Sequence, residues 1–246
     1  MSKIDDRIET IFSHAAALQQ SGRLRNTIYC RGSFVYIFNQ DHTVLIRFRI
    51  PATAIKFERP ISFFANDYDS RHFTEKNGCI CFIQTSSDNT DEYVREKSCR
   101  VPDFKTVDIR NLFRKYESKF KTSKDADVQI SETFRDFLDE NLSHIEFSGK
   151  DGKLAGVQRN IYTGAVTKII QNKKQQSLLA SESPLQNFKP IGVRTNDFIA
   201  LFAFARSVRF WFGRKGTVRF CSKDPRMPFV GFLSKCMYDE LGVDHG

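Results

Sequence analysis

Apolar positions along the chain keep a helical period for a few turns, switch to alternation, and then repeat the switch. Ile4, Ile8, Ile11, Phe12, Ala15 and Leu18 fall on one helical face, with Ser2 or Asp5 to cap it and Ser21-Gly22 to stop it. Strands are predicted next over 27–31, 34–38 and 43–50, where aromatic and β-branched residues crowd, with turns at Arg31-Gly32-Ser33 and 39–42. The pattern returns with Ile130, Phe134, Phe137, Leu138 and Leu142 on a helical face behind a Ser131 cap. Strands follow over 145–147, 154–159 and 165–170, and Lys150-Asp151-Gly152-Lys153 is the hairpin turn. A third copy is capped by Thr195 or Asn196 and striped by Phe198, Leu201, Phe202 and Ala205. It runs into the alternations Val208, Phe210, Phe212 and Val218, Phe220, and ends in a strand over 229–233. A degenerate fourth copy over 61–99 has a short helix over 66–73 and a strand over 79–84.

A unit that cannot bury its own apolar face stacks on its copies. The expected fold is therefore α+β, with helices packed on antiparallel sheets in two similar halves. The halves are predicted at 1–102 and 128–246, with a connector over 103–127. In the connector Asp108 caps a helix whose apolar stripe is Ile109, Leu112, Phe113, Tyr116 and Phe120. Its other face carries Arg110, Arg114, Lys115, Lys119 and Lys121, the densest basic face in the chain. Such a face is either solvated or laid against phosphates. Residues 171–189 read as a long polar loop.

Composition narrows the partners. The net charge of +9 favours a polyanion, most simply nucleic acid. Phe occurs 24 times against one Trp, mostly at inward positions, so the core is expected to be Phe-rich. No apolar run is long enough to cross a membrane, and no signal-peptide pattern is present. Cys30, Cys79, Cys81, Cys99, Cys221 and Cys236 form no Cys-x-x-Cys pair, which fits reduced, buried thiols in an intracellular, cytoplasmic protein. Cys79 and Cys81 would share a sheet face, but further zinc ligands at suitable spacing are missing, so no metal is expected.

Catalytic patterns are absent: there is no Gly-rich phosphate loop, no Gly-x-Ser-x-Gly and no His-Glu-x-x-His. Asp67/Asp69 and Asp88/Asp91 lie in turn-like segments, where Asp serves the backbone rather than a cation. His14 and His144 fall on a helix and at a helix end, positions that suit packing or capping. The chain is expected to be neither an enzyme nor a cofactor carrier.

The repeated helix–hairpin pattern resembles the DNA sliding clamps, the processivity factors of replication, most nearly the two-domain clamps of tailed phages and more distantly the PCNA type. Residues 4–50 resemble a clamp's first helix and following sheet. Residues 93–104, with Lys97-Ser98-Cys99-Arg100-Val101-Pro102, resemble the entry to an interdomain connector. Residues 129–170, with Phe134, Leu138, Ile145 and Asp151-Gly152-Lys153, resemble the start of a second domain, and 198–220, with Val208-Arg209-Phe210, a clamp's last helix and strands.

This resemblance implies two clamp-type domains per chain and a homotrimeric ring closed by edge strands, with helices lining a central hole around duplex DNA. It implies a DNA polymerase as partner, and a clamp loader as a further candidate. Phosphate-facing candidates are Arg7, Arg23, Arg25, Arg71, Arg135, Lys150, Arg206 and Arg209, together with the connector face at Arg110, Arg114, Lys115 and Lys119. A groove for partner peptides is implied at Val101, Pro102, Phe104, Met237, Tyr238 and Leu241. Asp136, Asp139 and Glu140 make the exposed side of the second copy's helix acidic, so it either contacts DNA poorly or faces a neighbouring subunit. The competing reading is a basic accessory protein acting as a monomer within a complex, such as a viral transcription cofactor or an RNA polymerase-associated factor. A conventional nucleic-acid-binding domain using the basic helix is a third.

Overall fold

The computed structural model describes residues 6–20, 26–39, 43–50, 57–65, 73–76, 79–82, 111, 113–114, 126–136, 138–150, 153–160, 163, 165–170, 179–180, 187–212, 217–222, 224 and 227–234. The chain forms two compact units, Met1–Leu112 with Pro225–Phe229, and Phe113–Asp224 with Val230–Gly246. Among the described residues antiparallel sheet dominates, with few helices.

In the first unit, helix α1 (Asp6–Gln20) buries Ile8, Ile11, Phe12 and Ala15 and exposes Asp6, Arg7 and Ser13, as its periodicity requires. Strands β1 (Asn26–Gly32), β2 (Phe34–Asn39) and β3 (Val44–Arg49) form a meander, and β4 (Phe57–Phe64) pairs with β1, giving the order β3-β2-β1-β4. Arg31 stands opposite Phe34, so Gly32 and Ser33 make a two-residue turn. Gly32 has φ +57, which glycine adopts without a Cβ penalty and which suits the twist of the flanking strands. Asn39 Oδ1 holds the next turn by accepting from the backbone N–H of Thr43 at 2.9 Å and of Val44 at 3.2 Å. Phe63, Ile28, Ile37 and Ile46 form one buried row across the four strands, and Phe12 of α1 meets Phe63 edge-on at 5.3 Å. A separate hairpin joins β5 (Phe73–Lys76) to β6 (Cys79–Phe82).

The second unit faces two sheets across a Phe-rich core. β8 (His144–Lys150), β9 (Lys153–Arg159), β10 (Val166–Ile170) and β12 (Phe188–Arg194) make one sheet, in the order β10-β9-β8-β12. The other runs β11-β7-β13-β14-β15, from β7 (Ala126–Ser131), β11 (Leu179–Ala180), β13 (Ser207–Phe212), β14 (Thr217–Ser222) and β15 (Phe229–Ser234). β13 and β14 alternate strictly between half-buried and buried positions. Phe147 of the first sheet lies 5.1 Å from Phe212 of the second. Helix α3 (Thr195–Ala200), continued by a 3-10 turn Leu201–Ala203, inserts Phe198 among Phe134, Phe147, Phe202 and Phe210. Close-packed rings of this kind stabilise through both buried area and ring geometry.

Several sequence expectations are corrected. Ile130 to Leu142 do not form one helix: Ile130 is in β7, opposite Val208, and only α2 (Glu132–Arg135) is helical. Leu138 and Leu142 donate to carbonyls only three residues back, at 2.9 and 3.1 Å; these short turns bury the two leucines beyond α2, while Phe134 is buried from α2 itself. Ser131 ends β7 and is the residue immediately before α2. Neither Thr195 nor Asn196 caps α3; its cap is Arg194, and Thr195 is fully buried. Phe73 opens β5 instead of closing a helix, and 66–72 lie outside the described residues. β4, β5, β7, β11 and β12 have no counterpart in the sequence reading, and β11 and the start of β12 fall within the predicted loop. Of the connector helix only Asn111, Phe113 and Arg114 are described: Phe113 is buried, 4.9 Å from Phe232, and Arg114 is exposed.

Candidate nucleic-acid interface

Arg7 projects from the polar side of α1, opposite the buried stripe. Arg135 ends α2 and is exposed, 3.7 Å from Asp136. Arg206 lies just before β13, and its backbone carbonyl accepts from Glu132 N–H at 2.6 Å. That bond ties the end of the α3 segment to the start of α2, so Arg206 and Arg135 come to the same short helix. Arg206 Nε is 3.9 Å from Glu132 Oε1, with the two side chains 83% and 43% exposed. A solvated pair of this kind contributes little, so the guanidinium stays accessible to a phosphate.

The surroundings are not uniformly basic. Asp136, Asp139 and Glu140 are exposed beside Arg135. The backbone there is fixed by Gln158, which is fully buried. Its Oε1 accepts from Asp139 N–H at 2.8 Å, and its Nε2 donates to the Asp139 carbonyl at 2.9 Å. Two side-chain bonds thus close a turn that has no helix to hold it.

Arg209 sits elsewhere. It is on β13, on the face opposite Phe210 and the core, where its guanidinium lies 5.4 Å from the Trp211 ring centroid. Arg219, directly opposite Trp211 on β14, lies 4.9 Å from the same centroid. Lys150 ends β8, paired with Lys153. Arg114 is exposed. Arg23, Arg25, Arg71, Arg110, Lys115 and Lys119 lie outside the described residues, as do all six groove candidates, Val101, Pro102, Phe104, Met237, Tyr238 and Leu241.

Among the described residues, the titratable groups that shift are buried or half-buried. Burial lowers His14 on α1; burial and then the charge of Arg194 lower His144 at the start of β8. Burial raises the Cys30 thiol well above its ordinary value. Among the described residues no group of three or more His, Cys, Asp or Glu side chains is placed to hold a metal ion, and no helix is long and apolar enough to cross a membrane.

The arginines around Phe34 at the turn end of β1, β2 and β3 have no local sequence signal that joins them. Arg31 and Arg49 are 18 positions apart in the sequence and come into one row only through strand register.

No protein-family model matches the sequence, and no curated protein does. Among solved structures, the chain is similar to the PCNA2–PCNA3 complex of Sulfolobus tokodaii, with a TM-score of 0.54 and 11% identity, over 94% of this chain and 97% of that one. It is also similar to the proliferating cellular nuclear antigen of Entamoeba histolytica, with a TM-score of 0.49 and 10% identity, over 93% and 96%. At 11% identity the likeness to the Sulfolobus complex is one of architecture, and what it shows is that this chain has the α+β fold of the PCNA-type sliding clamps.

Proposed function

We propose that the chain is a DNA sliding clamp, a processivity factor that surrounds duplex DNA without reading its bases and tethers a DNA polymerase to it. The observation that carries the reading is the clamp fold over nearly the whole length of the chain. The net charge of +9 and the exposed Arg7, Arg135 and Arg206 on helix-bearing sides agree with a cation-lined passage for DNA phosphates.

In this reading retention comes from closure rather than from contact strength. The mixture of Arg135 and Arg206 with Asp136, Asp139 and Glu140 suits a surface that must slide. Closure needs sheet edges that pair with another copy. β10 is the end strand of its sheet among the described residues, and it begins at Val166, the one exposed large hydrophobic there, at 45%. The connector and C-terminal residues are the proposed groove for polymerase and loader peptides.

The test is retention. On closed circular duplex the chain should stay bound far longer than on linear duplex of the same length, and blocking the linear ends should restore it. Sedimentation should approach three chains of 28.4 kDa each as concentration rises. A strict monomer, indifferent to DNA ends, would overturn the ring and leave the monomeric accessory protein as the function.

A further inference from the structure

The sheet face of the first unit turned away from α1 is closed at one end and open at the other. Side chains alternate along each strand, so Tyr36, Phe38 and Leu45 share this face, and they are 3%, 3% and 5% exposed. At the turn end the row is Arg31, Phe34, Arg49, in direct cross-strand register. Arg31 and Arg49 are exposed and Phe34 is half-buried. Neighbouring strands are about 4.8 Å apart, so two exposed guanidiniums flank one partly open aromatic ring. A third, Arg47, lies 5.4 Å from the Phe34 centroid, and Tyr36 backs the same ring at 6.2 Å. The acidic residues whose side chains are described in this unit, Asp6 and Glu9, are both on α1, which packs on the other face.

We propose that this row is a contact for single-stranded nucleic acid, with backbone phosphates on Arg31 and Arg49 and an unpaired base on Phe34. Charge complementarity selects a polyanion, and the ring selects among polyanions. A carboxylate-rich peptide engages the guanidiniums but gains nothing from an aromatic face. Duplex DNA keeps its bases stacked inside. A single strand offers both groups at once, and stacking on an aromatic side chain tolerates any sequence. Arg47 over the ring limits the freedom Phe34 would otherwise lose on binding. This contact needs neither a ring nor a passage, so it stands apart from the clamp reading.

The experiment follows binding of labelled oligothymidylate to the full chain by fluorescence anisotropy over a range of salt. The double variant R31E/R49E should bind at least about tenfold more weakly, and its log–log salt dependence should be shallower by about 1.4, from roughly 0.7 per lost phosphate contact. Phe34→Leu should weaken binding by about tenfold with the salt slope unchanged. Retention of the double variant on closed circular duplex should equal that of the wild type. Oligothymidylate binding unchanged in both variants would overturn the proposal. So would a polyglutamate peptide that binds as tightly as the oligonucleotide and is lost in R31E/R49E, since the row would then serve an acidic protein. Parallel loss of duplex retention would place the row on the duplex path and overturn it equally.

Discussion

Phe198→Ala should destabilise the second unit by about 4 kcal/mol, within the range of roughly 3–5 for a fully buried ring. Phe198 is 0% exposed and touches Phe134, Phe147, Phe202 and Phe210 with centroids 6.1, 5.1, 5.4 and 5.2 Å away. Losing the ring forfeits roughly 2–3 kcal/mol of transfer free energy. The remainder comes from the cavity and from ring pairs worth about 0.5–1.5 kcal/mol each, which share atoms and do not add. The neighbours belong to both sheets and to α2, so no single element can move in to fill the space. Phe198→Leu keeps most of the volume and should cost about 1–1.5 kcal/mol. Urea unfolding followed by far-ultraviolet circular dichroism measures both, with the midpoint falling and the m-value unchanged. In a thermal scan the alanine variant should melt about 12–16 °C lower. A loss below about 1.5 kcal/mol in Phe198→Ala would refute the view that this ring joins the two sheets.

Two further outcomes follow from polar groups of the second unit. Gln158→Leu leaves the Asp139 N–H and carbonyl without the partners they have at 2.8 and 2.9 Å, and should cost about 2 kcal/mol in the same urea titration. Gln158→Glu, which also buries a charge, should cost more, and equal stability of either variant with the wild type would disprove the bonding scheme. Burial and Arg194 hold His144 below its ordinary value of 6.5, so the unfolded chain takes up a proton at a higher pH than the folded chain does. Its contribution is therefore complete above 6.5 and is lost as pH falls through the lower folded value; His144→Gln should flatten this part of the stability–pH curve, and an unaltered slope would contradict it.

Much of the fold could be read where local pattern and tertiary role agree. α1 announces itself because Ile8, Ile11, Phe12 and Ala15 recur at helical spacing and are the residues buried. β1 to β3 do so through aromatic alternation and the glycine at φ +57. The missed strands share a different cause. β4 contains Pro60 and β12 contains Pro190, and proline argues against a strand when read locally. Both strands are at the ends of their sheets, where a missing N–H costs little, and both show a register shift in their pairing. The false helix at Ile130 to Leu142 failed because a spacing of three to four is also met by successive tight turns. Beyond the end of α2, Gln158, distant in sequence, takes the Asp139 N–H that a continued helix would give to the Arg135 carbonyl. For the interface, the charge was legible but the neighbours were not. Arg206 meets Glu132 across 74 positions, and Phe34 meets Arg49 only through register.

The single tryptophan has a consequence for watching this molecule work. Trp211 lies in the second unit, half-buried between the guanidiniums of Arg209 and Arg219. Indole emission from the unmodified chain is therefore a one-unit signal, silent about the first. The seven tyrosines are divided between the units, Tyr29, Tyr36, Tyr68 and Tyr93 in the first and Tyr116, Tyr162 and Tyr238 in the second, so tyrosine emission reports on both. Indole emission, which follows the second unit alone, and far-ultraviolet circular dichroism, which follows both, make a pair of probes. If their unfolding curves separate, the units melt independently, and the lag between them measures how strongly one unit stabilises the other.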